Sequence, residues 1–518
     1  MKPITRRTML KASLGASQLA LLGRLGLGDL RAEIPENGPT RLLTLFMPGG
    51  VRFYEQFVPI PDANIALQFQ KRQMYGAEPV YFSADDLITL PGDSGNFQPL
   101  RMSKTWKDND PGDRSDHHFS PIGYSWLDLA STTAVVHGVG YGTVAHPAGI
   151  ISATCGIPGS TYAAPSVGSN VANYLYSKFQ DSRPIPYVMA NSQGGRSNPK
   201  VGSLPASYGP LSLTNTNILK QGFSDKTPRW KDCDARIETE FTDLIKGDKN
   251  FLPTTNVDAY LLKRFERFAK KARQPERSLL AQLYDGTASV SKTLAADLVA
   301  AVEKAVPVEN PLPDHLRNYG AFSSRTGGYA QFGVQMENDI NWLLKILKSN
   351  ITSVVYAGFK DHNYDSHQAA SLPMAYNFLR AQMEVFAQLM SEMKKTPSPD
   401  MPGRSLYDDT IIVIYSDFAR TWGLPGTDDH NHQGAFVISG GAIKGNRQIG
   451  NYELPADKMF VGSAPSVPMA IQDEGLGRSM RPALTKDMIT TIYDLFGMKY
   501  GKDYFMPGTH GVIQGLRA

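Results

Sequence analysis

The sequence predicts an α/β fold: a mainly parallel sheet flanked by helices. Three observations predict it. Apolar runs of strand length recur between residues 41 and 439. Longer stretches with apolar residues at helical spacing lie between them. Hydrophobic residues make up 41% of the chain against 20% charged, enough for a core on both faces of a sheet. Unbroken apolar strands that alternate with helices are the pattern of strands buried on both sides.

The elements follow in order. Thr5-Arg6-Arg7-Thr8-Met9-Leu10-Lys11 precedes an apolar stretch from Ala12 to Leu22 and a small-residue region before Glu33. This resembles a twin-arginine export signal over residues 1–32, which places the mature protein in the periplasm or outside the cell. Arg41 to Met47 reads as a buried strand ending in the tight Pro48-Gly49-Gly50 turn. Residues 60–120 are polar and turn-rich and read as a loop excursion. Thr133–His137 is a second strand, Ser166–Phe179 a helix and Pro186–Ala190 a third strand. Residues 205–345 read as a largely helical insertion, with charged helical stretches over 257–306 and an amphipathic helix over 331–347. The alternation then resumes: Thr352–Tyr356 strand, Met374–Met393 helix, Thr410–Tyr415 strand, Ala435–Ser439 strand and Lys486–Phe496 helix.

Charge and cysteine usage exclude some functions. The net charge is +4, but residues 1–32 hold six of the 53 cations and one of the 49 anions, leaving 47 against 48. A broad basic footprint for nucleic acid is therefore not expected. After the leader, no stretch has the ~18 uninterrupted apolar residues that a spanning helix needs. Cys155 and Cys233 are the only cysteines, too few for an iron–sulfur centre, and they are read as unpaired.

The chemistry concentrates at strand ends. Four of the ten histidines lie in two clusters, Asp361-His362-Asn363-Tyr364-Asp365-Ser366-His367 after one strand and Asp428-Asp429-His430-Asn431-His432 before another. Asp417 ends the strand between them. Sites in open α/β sheets form outside the carboxyl ends of strands. Imidazole with carboxylate suits zinc, manganese or iron. Asp361, Asp365, His367, Asp417, His430 and His432 are therefore the candidate ligands, Asp417 as a further ligand or as an orienter of one, with zinc, manganese or calcium as the expected ion. His146 is a candidate acid, base or ligand, and Arg420 could either hold an anionic group by a bidentate contact or form a structural salt bridge under the strand end. His117-His118 beside Asp116 look ligand-like but read better as a solvated loop.

These blocks carry a resemblance. Tyr364-Asp365-Ser366-His367, Ser416-Asp417-Phe418-Ala419-Arg420-Thr421, Asp429-His430 and Gly440-Gly441 fall in the order seen in an exported bacterial family of unknown function, numbered fifteen-oh-one. Met47-Pro48-Gly49-Gly50-Val51 and His146-Pro147 leading to Thr154-Cys155-Gly156 are similar to its relative, fifteen-fifty-two. Both look like members of the alkaline phosphatase and sulfatase superfamily. The resemblance implies that fold, and a hydrolase of a sulfate, phosphate or related ester with a metal-bound water as nucleophile. Its substrate would be a small or polymeric anionic ester. The chain departs from the hydrolase pattern in three places. The first strand ends without a carboxylate, Asp417 is followed by Phe418 rather than histidine, and Ala145-His146-Pro147 lacks the side-chain nucleophile. The alternative is a non-catalytic exported protein on the same fold that binds or assembles with an exported partner.

Overall fold

The computed structural model describes residues 38–57, 87–103, 124–157, 164–178, 183, 185–191, 199, 202–204, 208–213, 300–305, 321–323, 328–330, 332–359, 364–365, 372–420, 430–452 and 466–518. The leader, the helical stretch 257–299, His117-His118, Cys233, Asp361, His362, His367 and Asp428-Asp429 lie outside the described residues, as does most of the 60–120 excursion.

The strands are β1 (Arg41–Phe46), β2 (Leu87–Thr89), β3 (Arg101–Ser103), β4 (Thr133–Gly140), β5 (Ile185–Asn191), β6 (Leu211–Ser212), β7 (Ala321–Ser323), β8 (Gly328–Ala330) and β9 (Thr352–Gly358). They continue as β10 (Thr410–Tyr415), β11 (Ala419–Arg420), β12 (His430–Asn431), β13 (Gln433–Ser439), β14 (Arg447–Ile449), β15 (Met469–Asp473), β16 (Gly477–Arg481) and β17 (Gly511–Ile513). The helices are α1 (Phe53–Gln56), α2 (Tyr124–Leu127), α3 (His146–Cys155), α4 (Val167–Lys178), α5 (Phe332–Lys348), α6 (Leu372–Lys395) and α7 (Thr485–Leu495).

Eight strands form the central sheet in the order β14-β4-β13-β10-β1-β9-β5-β6. β1 pairs in parallel with both β9 and β10, and β5 with both β9 and β6. β13 runs against its neighbours β10 and β4, while β14 is parallel to β4. The sheet is thus parallel except for β13. This exception matters for the site, because the start of β13 lies at the edge where β1, β9, β10 and β4 end.

The period of two along each strand divides the core into two layers. Leu43 and Leu45 of β1, Val355 of β9, and Ile412 and Ile414 of β10 pack with Leu343 and Leu347 of α5 and Met383 and Phe386 of α6. Leu42, Phe46, Val354, Ile411 and Val413 point the other way, with Ile150 of α3, Val171 of α4 and Ile489 of α7. Every residue of β1 and β10 is buried. Truncating one of these aliphatic side chains to alanine costs about 2–5 kcal/mol.

Two pieces inside the expected insertion 205–345 belong to these layers instead. β6 extends the central sheet, and α5 covers it. The sequence reading had no strands after Ser439, yet β14 joins the central sheet and β15–β17 form a small antiparallel sheet against α7. Cys155 is buried and takes part in no disulfide among the described residues. Among the described residues, no helix is long and apolar enough to cross a membrane.

Candidate metal centre

Four connections meet at the carboxyl edge of the sheet: those that follow β1, β4 and β9, and the one that leaves β10 and leads into β13. The β1 loop brings no carboxylate. It brings the N–H groups of Gly49 and Gly50, which lie 3.2 and 2.8 Å from Asp417 Oδ1. Gly50 has φ +80°, a left-handed conformation that favours glycine. The Ser416 hydroxyl lies 2.9 Å from the same carboxylate and accepts the Val51 N–H at 3.1 Å.

α3 carries His146 as its first residue. Pro147 suits the first turn, where its missing N–H costs nothing. The helix stops at Gly156, whose φ of +78° closes it on the carbonyl of Ser152. Gly149 lets the helix approach the end of β10: a Cβ there would stand 2.3 Å from the Asp417 carbonyl oxygen. His146 Nδ1 thereby lies 2.5 Å from Asp417 Oδ2.

Asp417 is fully buried. Two backbone N–H groups, a hydroxyl and an imidazole nitrogen surround its oxygens. Of the two roles expected for it, further ligand or orienter of one, these contacts fit the second: it fixes the orientation of His146. The other ring nitrogen, Nε2, is buried without a hydrogen-bond partner. It faces Asp365 Oδ1 at 3.4 Å, an ion-pair distance.

His430 completes the group. It starts β12 and pairs with Arg420 across the β11–β12 ribbon. Its Nδ1–H donates to the Val144 carbonyl at 2.5 Å, leaving Nε2 4.0 Å from Asp365 Oδ1. One ligand atom each from His146, Asp365 and His430 lies within 4.8 Å of the others. All three side chains reach solvent, with 27, 24 and 19% exposure respectively.

Arg420 is fully buried and forms a salt bridge under the strand end, the second of the two roles expected for it. Its Nε and Nη2 donate to the Gly49 carbonyl at 3.0 and 2.7 Å, and Nη2 also pairs with Asp365. It ties the β9 loop to the β1 loop, and so positions Asp365. His432 is exposed and stands outside the group.

The electrostatics follow from these contacts. Burial by itself would lower the His146 pKa, but the two carboxylates outweigh it and raise the value to about 9. Burial would raise Asp365, yet His146 and Arg420 hold it well below the usual carboxylate range. Without a cation, an imidazolium therefore sits between two carboxylates.

Sequence reasoning missed the partners that orient these groups: Gly49, Gly50, Ser416, Gly149 and the Val144 carbonyl. The Gly-Gly pair after β1 was the one visible signal. The family of proteins of unknown function designated DUF1501 matches residues 39–504. The chain belongs to the DUF1501 family. That match spans both layers and all of the loops that build the candidate centre. A search of curated proteins returns no match.

Proposed function

We propose that this DUF1501 protein is an exported hydrolase of an anionic ester that uses a single divalent cation held by His146, Asp365 and His430. The observation that carries the reading is the orientation of the two imidazoles. Each has its Nδ1 engaged, by Asp417 or by the Val144 carbonyl, and each turns Nε2 toward Asp365. Ligating histidines are held in this way, with the far ring nitrogen donated to a carboxylate or carbonyl.

The donor set suits zinc, manganese or iron. Calcium takes six to eight oxygens and fits two imidazoles poorly. Ligand atoms around tetrahedral zinc stand about 3.3 Å apart, given bonds of roughly 2.0–2.1 Å. The 3.4 and 4.0 Å separations approach this.

A divalent cation bound there supplies Lewis-acid chemistry, polarising an ester oxygen and acidifying water. The chain's own residues do the rest. Asp417 keeps His146 in the tautomer that presents Nε2. Arg420 holds Asp365 at the mouth and keeps it ionised. α3 begins at His146, so the positive end of its dipole faces the site and favours an anionic group. The expected superfamily fold accords with a mainly parallel sheet whose site lies at its carboxyl edge. The twin-arginine pattern supports export.

Elemental analysis of the mature protein, purified without chelator or affinity histidines, tests the reading. It should find about one equivalent of a transition metal, absent from a variant with His146→Ala, Asp365→Ala and His430→Ala. Sulfate and phosphate esters should then be turned over only by the loaded wild type. Absence of metal from folded wild type, with no uptake from added zinc or manganese, would sink it and favour a non-catalytic exported binding protein.

A further inference from the structure

We infer that Phe418 is a positioning residue for the metal centre: its ring sets the mutual geometry of the two imidazoles. This rests on the reading of His146, Asp365 and His430 as ligands.

Phe418 follows Asp417 at the end of β10 and is fully buried. Its ring centroid lies 4.6 Å from that of His146 and 4.5 Å from that of His430, at interplanar angles of 41° and 36°. The two imidazoles meet each other edge-on, 4.8 Å apart at 74°. A hydrogen bond engages each Nδ1 and sets one point of each ring. Contact with the Phe418 ring constrains both imidazoles at once.

The ring is itself confined. A Cβ on Gly50 would stand 2.7 Å from Phe418 Cε2, and a Cβ on Gly149 would stand 3.1 Å from its Cδ1. Two glycines from separate elements thus make room for this one side chain. The Arg420 guanidinium lies 5.8 Å from the ring centroid, and holds Asp365 from the same support. All three ligand-bearing side chains therefore rest on Phe418 or on a residue in contact with it. A phenylalanine that only filled core volume would not need to touch both imidazoles.

Cobalt(II) is the probe, since its visible spectrum reports coordination geometry. Wild type should bind one equivalent. Phe418→Leu keeps apolar volume but loses the flat ring, and should bind cobalt about tenfold or more weakly with shifted bands, as for lost orienting partners. Phe418→Tyr keeps the ring and should restore the wild-type bands. If the leucine variant does not fold, Phe418→Met serves, since its flexible side chain fills the same space. Affinity within about twofold of wild type and unchanged bands in the ring-free variant would overturn the inference while leaving the centre intact. Failure of wild type itself to take up cobalt or zinc would overturn the centre, and this inference with it.

Discussion

His146 Nδ1 lies 2.5 Å from Asp417 Oδ2, and this contact decides which nitrogen of the ring can face Asp365. The Asp417 carboxylate accepts from this ring, so Nδ1 carries the proton and Nε2 keeps its lone pair for a cation. An asparagine has nearly the same shape but can turn its NH2 group toward Nδ1, which moves the proton to Nε2. Asp417→Asn should therefore lower zinc affinity about 10–100-fold without unfolding the protein. Calorimetric titration of the metal-free protein checks the affinity, and circular dichroism checks the fold.

Gly149 is the point where α3 touches the end of β10. A methyl group there would overlap the Asp417 carbonyl oxygen at 2.3 Å, and backbone must move to admit it. Gly149→Ala should lower stability by about 1–3 kcal/mol, the usual cost of overpacking. It should also weaken metal binding, because the displaced helix carries His146. Urea unfolding and metal titration of one preparation test both effects. A stabilised variant would show that this helical glycine gives up propensity for no packing reason.

Much of the fold was legible, because β1, β9 and β10 are continuous apolar runs that only two-sided burial explains. Thr410-Ile-Ile-Val-Ile-Tyr415 leaves no other reading. β15 and β16 were not legible, because both are only five residues long: β15 buries alternate residues, too few to make a strong pattern, and β16 buries none. The ligand candidates Asp365 and His430 could be read from their places at strand ends. For Asp417 the sequence left two roles open, a further ligand or an orienter of one. Its sequence position is that of a ligand, and only the Gly49 and Gly50 N–H groups, some 370 residues away in the chain, reveal that its oxygens are already taken. Arg420 stayed open between an anion holder and a structural salt bridge for a similar reason, since charge is visible in sequence and burial is not.

His137, which is not part of the candidate centre, should make stability depend on pH. It sits within β4, with Nε2 2.9 Å from Gln448 Oε1. Burial lowers its pKa to about 4, and the bond to Gln448 offsets only part of that. The unfolded chain takes up the proton near pH 6.5 while the folded protein resists until about pH 4. Stability should thus be full above pH 6.5 and fall as pH drops toward 4, by roughly 3 kcal/mol in all. His137→Gln removes the titrating group, and its urea midpoint should change less over that window than the wild-type midpoint does. Parallel slopes for the two proteins would show that other groups govern acid lability.

His430 and His432 stand two residues apart, and the structure separates them. His430 turns Nε2 toward Asp365, with its other nitrogen on the Val144 carbonyl. His432 is exposed, and its contribution nearby is a backbone carbonyl that accepts the Tyr141 N–H at 2.7 Å. An alanine at 432 preserves that carbonyl. His430→Ala should therefore abolish stoichiometric metal, while His432→Ala should keep it at wild-type affinity. Measured side by side by elemental analysis, equal loss from both would mean that the metal is held on the loop before β13 as a whole. Loss from His432→Ala alone would put the centre on the other face of the β12 turn. Loss from His430→Ala alone is the outcome that the antiparallel entry of β13 dictates, because it carries one imidazole into the cluster and leaves the next outside.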